Sequence, residues 1–310
     1  MKEHGDLVYV DISDVDLTDN TYTISFPHDD PRLEWYIGKT RLITPVLLLA
    51  GKPLKVIDGL RRIRYASKLE LEAVPAYVLS VEPYRALMIA ILANIARGLN
   101  IVEKAHAIAK MCEFGFSDDE IFELMGFFGL GRSQKIKSLC IKIASEEETI
   151  KFYFCQNSLS MKTIGYFFDL TEESRKKLLN FLQNKKITES SLREFLELVL
   201  LAEVKFGDIP FSTFEQAQTI DEAKFLLKKE VSPSISALCT EFFGILGMIK
   251  LPNTTKIKVD PFFEKEEMEI SILAKSVEDV DLALKKLQVA LGRGYFEKIF
   301  ALTQGKISRA

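Results

Sequence analysis

The change in hydrophobic periodicity near Pro83 is the feature that most constrains how this chain can fold. Before it, residues 7–81 hold short apolar segments that Asp, Asn, Pro and Gly interrupt, which is typical of β-strands joined by turns. After it, as far as about Phe206, apolar residues recur at helical spacing almost throughout. The sequence therefore predicts the α+β class, with a small α/β domain followed by an all-helical one. In the first domain the predicted strands are Leu7–Ile12, Tyr22–Phe26, Pro45–Leu49, Leu54–Ile57 and Val74–Val81, and the predicted helices are Pro31–Lys39 and Arg62–Leu69.

A second break in the pattern falls around Gly207–Pro210, where we predict a linker. Beyond it, Thr255–Val259 and Met268–Ala274 alternate as strands and Val277–Leu291 is amphipathic, which predicts a small β-β-α module. A chain of 310 residues is long enough for several domains. We therefore predict three domains, at residues 1–82, 83–206 and 207–310.

The tract from Val56 to Tyr65 carries the clearest chemical signal in the chain. A short apolar strand runs into Asp58-Gly59, and Arg61, Arg62 and Arg64 follow at the start of a predicted helix. Glycine permits a sharp turn and a close backbone approach. The first N–H groups of a helix favour anions, and arginine adds a planar fork suited to phosphate oxygens. The tract therefore predicts a phosphate grip, whereas a solvated arginine face is the plainer alternative.

A second signal lies in residues 117–142 of the helical domain. Ser117 to Glu120 has the spacing of a capping box, a glycine-containing turn follows at Gly126–Gly131, and Ser133 leads a second helix rich in lysine. A helix, a turn and a basic helix describe a helix-turn-helix, although a plain helical hairpin shares the pattern. The predicted DNA-contacting residues are Arg132, Ser133, Gln134, Lys135 and Lys137.

Composition argues against several other classes of protein. A net charge of −3 does not suggest a general nucleic-acid binder, so DNA contact would be confined to a local basic patch. No apolar run reaches the ~18–20 residues that a membrane span needs, and the charged first residues lack the core of a signal peptide. We therefore expect a cytoplasmic protein with no membrane partner. The four cysteines have no CxxC spacing, which argues against a zinc site.

Several motifs in a fixed order resemble the ParB family of chromosome- and plasmid-partition proteins. Val56–Arg64, with the following Ala66–Pro75, is similar to the family's GERRxRA box and its trailing "GL..VP". Asn94–Ala105 is similar to the ENxQRxxLxxxEEA segment, and the predicted helix-turn-helix lies where the family's lies. The resemblance covers about residues 7–200. It implies that the first domain has the ParB/sulfiredoxin-like fold and that the β-β-α tail is a dimerisation module.

The resemblance also implies a chemistry, because members of this family bind CTP with Mg²⁺ and act as clamps on DNA. By position, Gly59, Arg61, Arg62 and Arg64 would hold the triphosphate, Arg97 would contact phosphate and Asn94 would help to hold the metal. The implied partners are double-stranded DNA, a second copy of the chain and a partition ATPase. Association with a nucleoid or a plasmid would follow.

The chain departs from the family's pattern at the positions that support hydrolysis. Ala93 stands where the family has the Glu of its second box, and Ala96 replaces the Gln that follows. Upstream, Thr23 and Ser25 stand where the family has Gln and Arg, and Leu60 replaces the Glu after the glycine. Losing a carboxylate beside Mg²⁺ weakens both the metal site and water activation. We therefore expect nucleotide binding with at most weak CTP hydrolysis.

Other functions stay open at this point. A ParB-like nuclease or other phosphate-chemistry enzyme would need clustered carboxylates, and Asp58 is the only acid in the tract. A sulfiredoxin would need Cys and His there, and neither is present. A DNA-binding regulator without nucleotide chemistry is also compatible with the missing Glu and Gln. At the level of single residues, Asn94 could be a helix cap and Arg97 could pair with Glu103.

Overall fold

The computed structural model describes residues 6–27, 31–183, 185, 187–260, 263 and 265–304. The chain forms two compact units, one of Met1–Thr171 with Ile187–Glu189 and one of Glu172–Lys186 with Ser190–Ala310. Both strands and helices are present, which confirms the α+β class. The division at residues 82 and 206 stays a prediction.

The first unit contains a mixed five-stranded sheet with the order β1-β5-β3-β4-β2. Strand β1 is antiparallel to β5, β5 is parallel to β3, β3 is antiparallel to β4, and β4 is parallel to the short β2. The middle strands are apolar on their inner face, where Val46, Leu48 and Val74 are fully buried. The strand bounds are β1 Leu7–Asp11, β2 Val15–Asp16, β3 Val46–Leu49, β4 Leu54–Asp58 and β5 Ala73–Leu79.

Two helices accompany this sheet, α1 at Pro31–Thr40 and α2 at Leu60–Lys68. Helix α2 is amphipathic, because Ile63 and Ala66 are buried in the sheet core while its three arginines are only partly buried. Strand β4 ends at Asp58 and α2 begins at Leu60, so Gly59 alone joins them. The arginine tract is therefore fixed at both ends by packed elements.

A helical part completes the first unit around one central helix, α4. Its residues Val102, Ala105 and Ile108 are fully buried. The cap residue Asn100 and Glu103 form a reciprocal capping box at its start, which satisfies two otherwise unpaired backbone donors. The helices of this part are α3 Pro83–Ile95, α4 Ile101–Glu113, α5 Asp118–Phe127, α6 Gln134–Ser145, α7 Glu148–Gln156 and α8 Met161–Asp169.

The predicted strand at Tyr22–Phe26 is wrong, although its alternating residues are buried as the pattern indicates. Tyr22, Ile24 and Phe26 point into the interior, but the backbone bonds to side chains of α4 instead of to another strand. Lys110 Nζ donates to the carbonyls of Asn20 and Thr21, at 2.9 Å each. His106 Nδ1 lies 3.1 Å from the Ile24 carbonyl oxygen, and Asn100 Nδ2 donates to the Phe26 carbonyl at 2.8 Å. We call residues 20–27 the wall segment.

In its described residues, the second unit consists of helices and one antiparallel pair of strands, β6 and β7, both of which were predicted. Helices α13 and α15 pack with β6 around Phe242, Ile257 and Ile299. Helix α12 was not predicted. Among the described residues no single helix is long and apolar enough to cross a bilayer, and α12 with α13 meets that measure of length and composition only as a pair bent by 120°. The bounds are α9 Glu172–Leu182, α10 Glu189–Phe206, α11 Phe211–Phe214, α12 Ile220–Val231, α13 Pro233–Ile249, β6 Thr255–Val259, β7 Met268–Ile272, α14 Val277–Gly292 and α15 Tyr295–Thr303.

Candidate functional site

The six residues predicted to hold nucleotide and metal line a single cavity of the first unit, with a volume of about 470 Å³. Its lining comes from the wall segment, α1, the segment before β3, the end of β4, the start of α2, and the end of α3 with the residues just after it. The fold therefore brings together two sequence boxes that lie some thirty residues apart. The predicted residues on the lining are Gly59, Arg61, Arg62, Arg64, Asn94 and Arg97.

Gly59 makes the turn between β4 and α2 possible. Its φ is +101°, a conformation that residues with a Cβ rarely adopt. A Cβ built there would lie 2.6 Å from Val46 Cγ1, so a side chain has no room. Gly59 caps α2 without a side chain, and the first turn of the helix contains no acid. The backbone donors at this helix start and the helix dipole therefore favour an anion in the cavity.

The arginines of the tract bond to carbonyl groups around the cavity. Arg61 Nη1 donates to the Pro27 carbonyl at 3.3 Å, and Arg64 Nη2 donates to the Leu17 carbonyl at 2.8 Å. Arg62 Nη1 donates to the Pro45 carbonyl at 2.9 Å, and its Nη2 pairs with Asp58 Oδ2 at 2.7 Å. A guanidinium has five N–H donors, so these contacts leave others for a ligand.

Charge in the cavity is strongly one-sided. Among the described lining residues four arginines face one carboxylate, that of Asp58. Both oxygens of that carboxylate are already engaged, one by Arg62 and one by Asn94 Nδ2 at 3.1 Å. The uncompensated charge is therefore positive, which suits a polyanion such as a triphosphate.

The second box forms a hydrogen-bond network in which Asn94 and Glu103 are buried and Arg97 is partly exposed at the cavity. Arg97 Nε donates to Asn94 Oδ1 at 3.0 Å, and Nη1 and Nη2 donate to the Glu103 carboxylate at 3.0 and 2.6 Å. The pairing of Arg97 with Glu103, which the sequence left as the plainer alternative, is therefore present. Arg97 Nη2 also reaches Ser25 Oγ at 3.3 Å, so part of this fork lies at the cavity.

The sequence named Glu103 only as a possible partner of Arg97, and its wider role in the site was not predicted. Its side chain is only 1% exposed, and besides Arg97 it accepts hydrogen bonds from the backbone N–H groups of Phe26 at 3.0 Å and Asn100 at 3.1 Å. One carboxylate thus ties the second box, the wall segment and the start of α4 together. The spacing of Asn100 and Glu103, that of a capping box, was the available sequence signal for part of this role.

The donor set does not fit a resident metal ion. No group of three or more His, Cys, Asp or Glu side chains comes together among the described residues. Asn94 Oδ1, the oxygen that a metal would need, accepts from the Arg97 guanidinium, and Asp58 is engaged on both oxygens. Mg²⁺ at this site would have to bring most of its ligands as phosphate oxygens and water. The metal role of Asn94 stays a prediction.

The five residues predicted to contact DNA lie in the turn and at the start of α6. Ser133 caps the helix, and its Oγ accepts from the Ile136 N–H at 3.3 Å. Arg132, Gln134 and Lys135 are exposed, and Lys137 is partly buried. Gln134 and Lys137 donate to the two oxygens of Asp118 at the start of α5. Asp118 raises the pKa of the Lys137 ammonium, and Lys137, followed by Gln134, lowers the pKa of the Asp118 carboxyl.

Arg132 lies back across α5. A Cβ built on Gly126 would overlap the Arg132 guanidinium, so glycine at this helical position makes room for it. The glycine costs about 1 kcal/mol of helix stability relative to alanine. The overlapping atoms are the end of a flexible, exposed side chain, so Arg132 could move aside if a Cβ were present.

Comparison with known proteins finds similarity to nucleoid occlusion proteins. No family model matches the chain. It is similar to the nucleoid occlusion protein of Bacillus mycoides (strain KBAB4), with 27% identity over 206 residues that cover 62% of this chain and 70% of the relative. It is similarly related to the nucleoid occlusion protein of Bacillus cereus (strain AH187), with 26% identity over 204 residues that cover 61% and 69%.

Solved structures give looser likenesses. A C-terminally truncated chromosome-partitioning protein ParB from Caulobacter crescentus, complexed with CTP-gamma-S, is 17% identical with a TM-score of 0.28, covering 72% of this chain and 99% of that one. A Pnob8-like ParB-N domain is 16% identical with a TM-score of 0.41, covering 75% and 97%. Superpositions at these scores are too loose to match individual side chains.

Proposed function

We propose that the chain is a divergent member of the ParB family and that it is a DNA-binding partition or regulatory protein whose cavity binds CTP. One observation carries the nucleotide half of the proposal. Two separate boxes of the sequence, residues 59–64 and residues 94–97, converge on one cavity with an excess of positive charge. A solvated arginine face would not require that convergence.

The residues of the cavity would contribute to triphosphate binding in different ways. Gly59 allows the phosphates to approach the backbone at the start of α2, where the N–H groups and the helix dipole are fixed in place. Arg61 is held by a single long contact to a carbonyl, so its fork can turn to a phosphate at little cost. Arg62 is bonded to Asp58 and two carbonyls, and positions the turn as well as adding charge.

Hydrolysis is expected to be weak or absent. Ala93 lies on the cavity lining, where the family resemblance places a Glu. Both oxygens of Asp58 are engaged, so among the described lining residues no carboxylate is available as a general base for water. The same shortage of carboxylates gives the nuclease alternative no support.

DNA binding is proposed for the hairpin of α5 and α6, acting as a helix-turn-helix. The turn and the first turn of α6 carry the exposed Arg132 and Lys135 without an acid of their own, while Lys137 is bonded to Asp118. Lysine and arginine supply salt-dependent contacts to phosphate, while side chains at the start of the helix reach base edges. Double-stranded DNA is therefore the proposed partner.

A homodimer is proposed through the C-terminal module. Val277, Leu284 and Leu291 repeat every seven residues along α14 and are 79%, 50% and 58% exposed. Leu273, directly after β7, is 80% exposed. An apolar stripe at heptad spacing is the seam that two helices bury against each other. A partition ATPase as a further partner stays a prediction of the family resemblance.

Calorimetric titration with CTP, UTP, GTP and ATP, each with and without Mg²⁺, tests the nucleotide half. We expect binding of CTP that Arg61→Ala weakens at least tenfold, with Arg41→Ala, an exposed arginine outside the cavity lining, as the matched control. The second candidate is a regulator without nucleotide chemistry, favoured by the carbonyl groups that already satisfy part of each arginine fork. Absence of binding by all four nucleotides, combined with DNA binding indifferent to CTP, would establish that second candidate.

A further inference from the structure

The proposed DNA interface contains the carboxylate of Asp118, which bonds to side chains of α6, the helix proposed to contact DNA. We infer that Asp118 is a positioning residue that decides which face of α6 meets DNA, an inference that rests on the proposed DNA-binding function. Its carboxylate turns two of the five predicted contact residues, Gln134 and Lys137, toward α5. A different stripe of α6 is left to face the duplex.

The contact uses the whole carboxylate. Oδ1 accepts from Lys137 Nζ and Oδ2 accepts from Gln134 Nε2. The two donors are three residues apart and so lie on the same side of α6. Asp118 itself is fixed because Ser117 caps α5 through a capping box with Glu120. The Lys137 side chain is consequently only 18% exposed, even though it lies in the first turns of a surface helix.

The exposed stripe of α6 runs at another angle around the helix. Lys135, Ser138 and Lys142 are all exposed and are spaced three and four residues apart, so they line one face. Leu139, Cys140 and Ile143 form the buried side of α6. The structure therefore assigns the DNA-facing side of α6 to Lys135, Ser138 and Lys142, and assigns Gln134 and Lys137 to the bond with α5.

Removing the negative charge of Asp118 has a definite electrostatic consequence. The Lys137 ammonium is released and gains the freedom to reach a phosphate, and one acidic charge beside the DNA disappears. Each phosphate that a protein neutralises makes the slope of log K against log[salt] more negative by about 0.9. Asp118→Asn should therefore steepen the slope by about 0.9, which amounts to a roughly threefold larger loss of affinity between 50 and 200 mM salt.

The variants Asp118→Asn, Lys137→Gln and the double variant separate this role from a purely structural one. Asp119→Asn is the matched control, because Asp119 is exposed, lies one residue further along the same first turn and carries the same charge. Fluorescence anisotropy on a random-sequence 24-base-pair duplex gives the salt slope. Selection from a random duplex pool gives the sequence preference of each variant.

We expect Asp118→Asn to bind the random duplex more tightly than wild-type protein at 50 mM salt, with a steeper slope of log K against log[salt]. In the selection it should enrich duplexes with a less defined sequence. In the Lys137→Gln background the same substitution should leave the slope unchanged, because its effect passes through the lysine. Equal slopes for Asp118→Asn and Asp119→Asn, with wild-type protein that binds DNA, would overturn the inference and leave the proposed function standing. Wild-type protein that binds neither the random duplex nor any selected one would overturn both.

Discussion

Replacement of Glu103 by Gln tests the hydrogen-bond network of the second box, because it removes one charge and keeps the shape of the side chain. The carboxylate is almost fully buried and accepts four hydrogen bonds, two from Arg97 and one each from the N–H groups of Phe26 and Asn100. The amide of glutamine has one oxygen that accepts hydrogen bonds and one NH₂ group that donates them. In the variant the NH₂ group would therefore face N–H donors that now bond to the second carboxylate oxygen. Breaking a buried pair from one side costs about 3–5 kcal/mol.

The expected loss is smaller than that range, because the Arg97 side chain is 38% exposed and regains part of its hydration. We therefore expect the free energy of unfolding to fall by about 2–3 kcal/mol. At the same time Arg97 is released toward the cavity, so the affinity for CTP should be kept or increased. Loss of stability without loss of nucleotide affinity is the distinguishing result.

Chemical denaturation followed by far-ultraviolet circular dichroism measures the free energy of unfolding. The single tryptophan, Trp35, is 67% exposed and would report unfolding weakly, so the helical signal is the better probe. Glu113→Gln, the same chemical change at an exposed position of α4, should shift stability by no more than about 0.5 kcal/mol. If Glu103→Gln loses under about 1 kcal/mol, or loses CTP affinity in proportion to stability, the proposed role of the pair is refuted.

Four further predictions concern other parts of the molecule. Arg61→Ala should abolish most CTP binding in calorimetry while leaving the melting temperature nearly unchanged, since it removes one long contact; a large fall in stability would contradict this. Gly59→Ala should destabilise the first unit by more than about 2 kcal/mol in denaturant titration, because the turn needs φ of +101° and has no room for a Cβ. Leu284→Glu should convert the dimer to a monomer in light scattering, whereas Leu282→Glu, at a similarly exposed position off the heptad stripe, should not. The pKa of Asp118 is lowered from 3.8, so its bond to Lys137 is fully present above that pH and is lost only as pH falls through the lower value of the folded state. The difference in salt slope between wild-type and Asp118→Asn should therefore be the same at pH 5 and pH 8, and a difference that disappears at pH 5 would refute the assignment.

Sequence reasoning succeeded where the controlling interactions are local. The strand before Asp58, the turn at Gly59 and the helix that follows depend on neighbouring residues, and the structure has them close to the predicted positions. Helix α12 was missed although a signal was present, since Thr219 caps it and bonds to the Glu222 N–H. The order of the two boxes also indicated that they belong together. That inference came from a family resemblance and could not have come from periodicity.

Contacts between distant segments account for what could not be predicted. The wall segment has the alternation of a strand, yet its hydrogen-bond partners are side chains more than seventy residues further along the chain. The alternation of apolar and polar residues predicts which side chains are buried, but it does not identify the hydrogen-bond partners of the backbone. Likewise, the basic residues of α6 were identified from composition, whereas the pairing of Gln134 and Lys137 with Asp118 depends on the turn between two helices.

The wall segment has a consequence for how this protein could change over evolutionary time. Helix α4 holds it through backbone groups, with Lys110 on the carbonyls of Asn20 and Thr21, and Asn100 and Glu103 on the two backbone groups of Phe26. Thr23 and Ser25, which line the cavity, are not required for that attachment. Substitutions at these two positions can therefore alter the preferred ligand without changing the path of the main chain. We accordingly expect relatives that bind different ligands to differ at these positions.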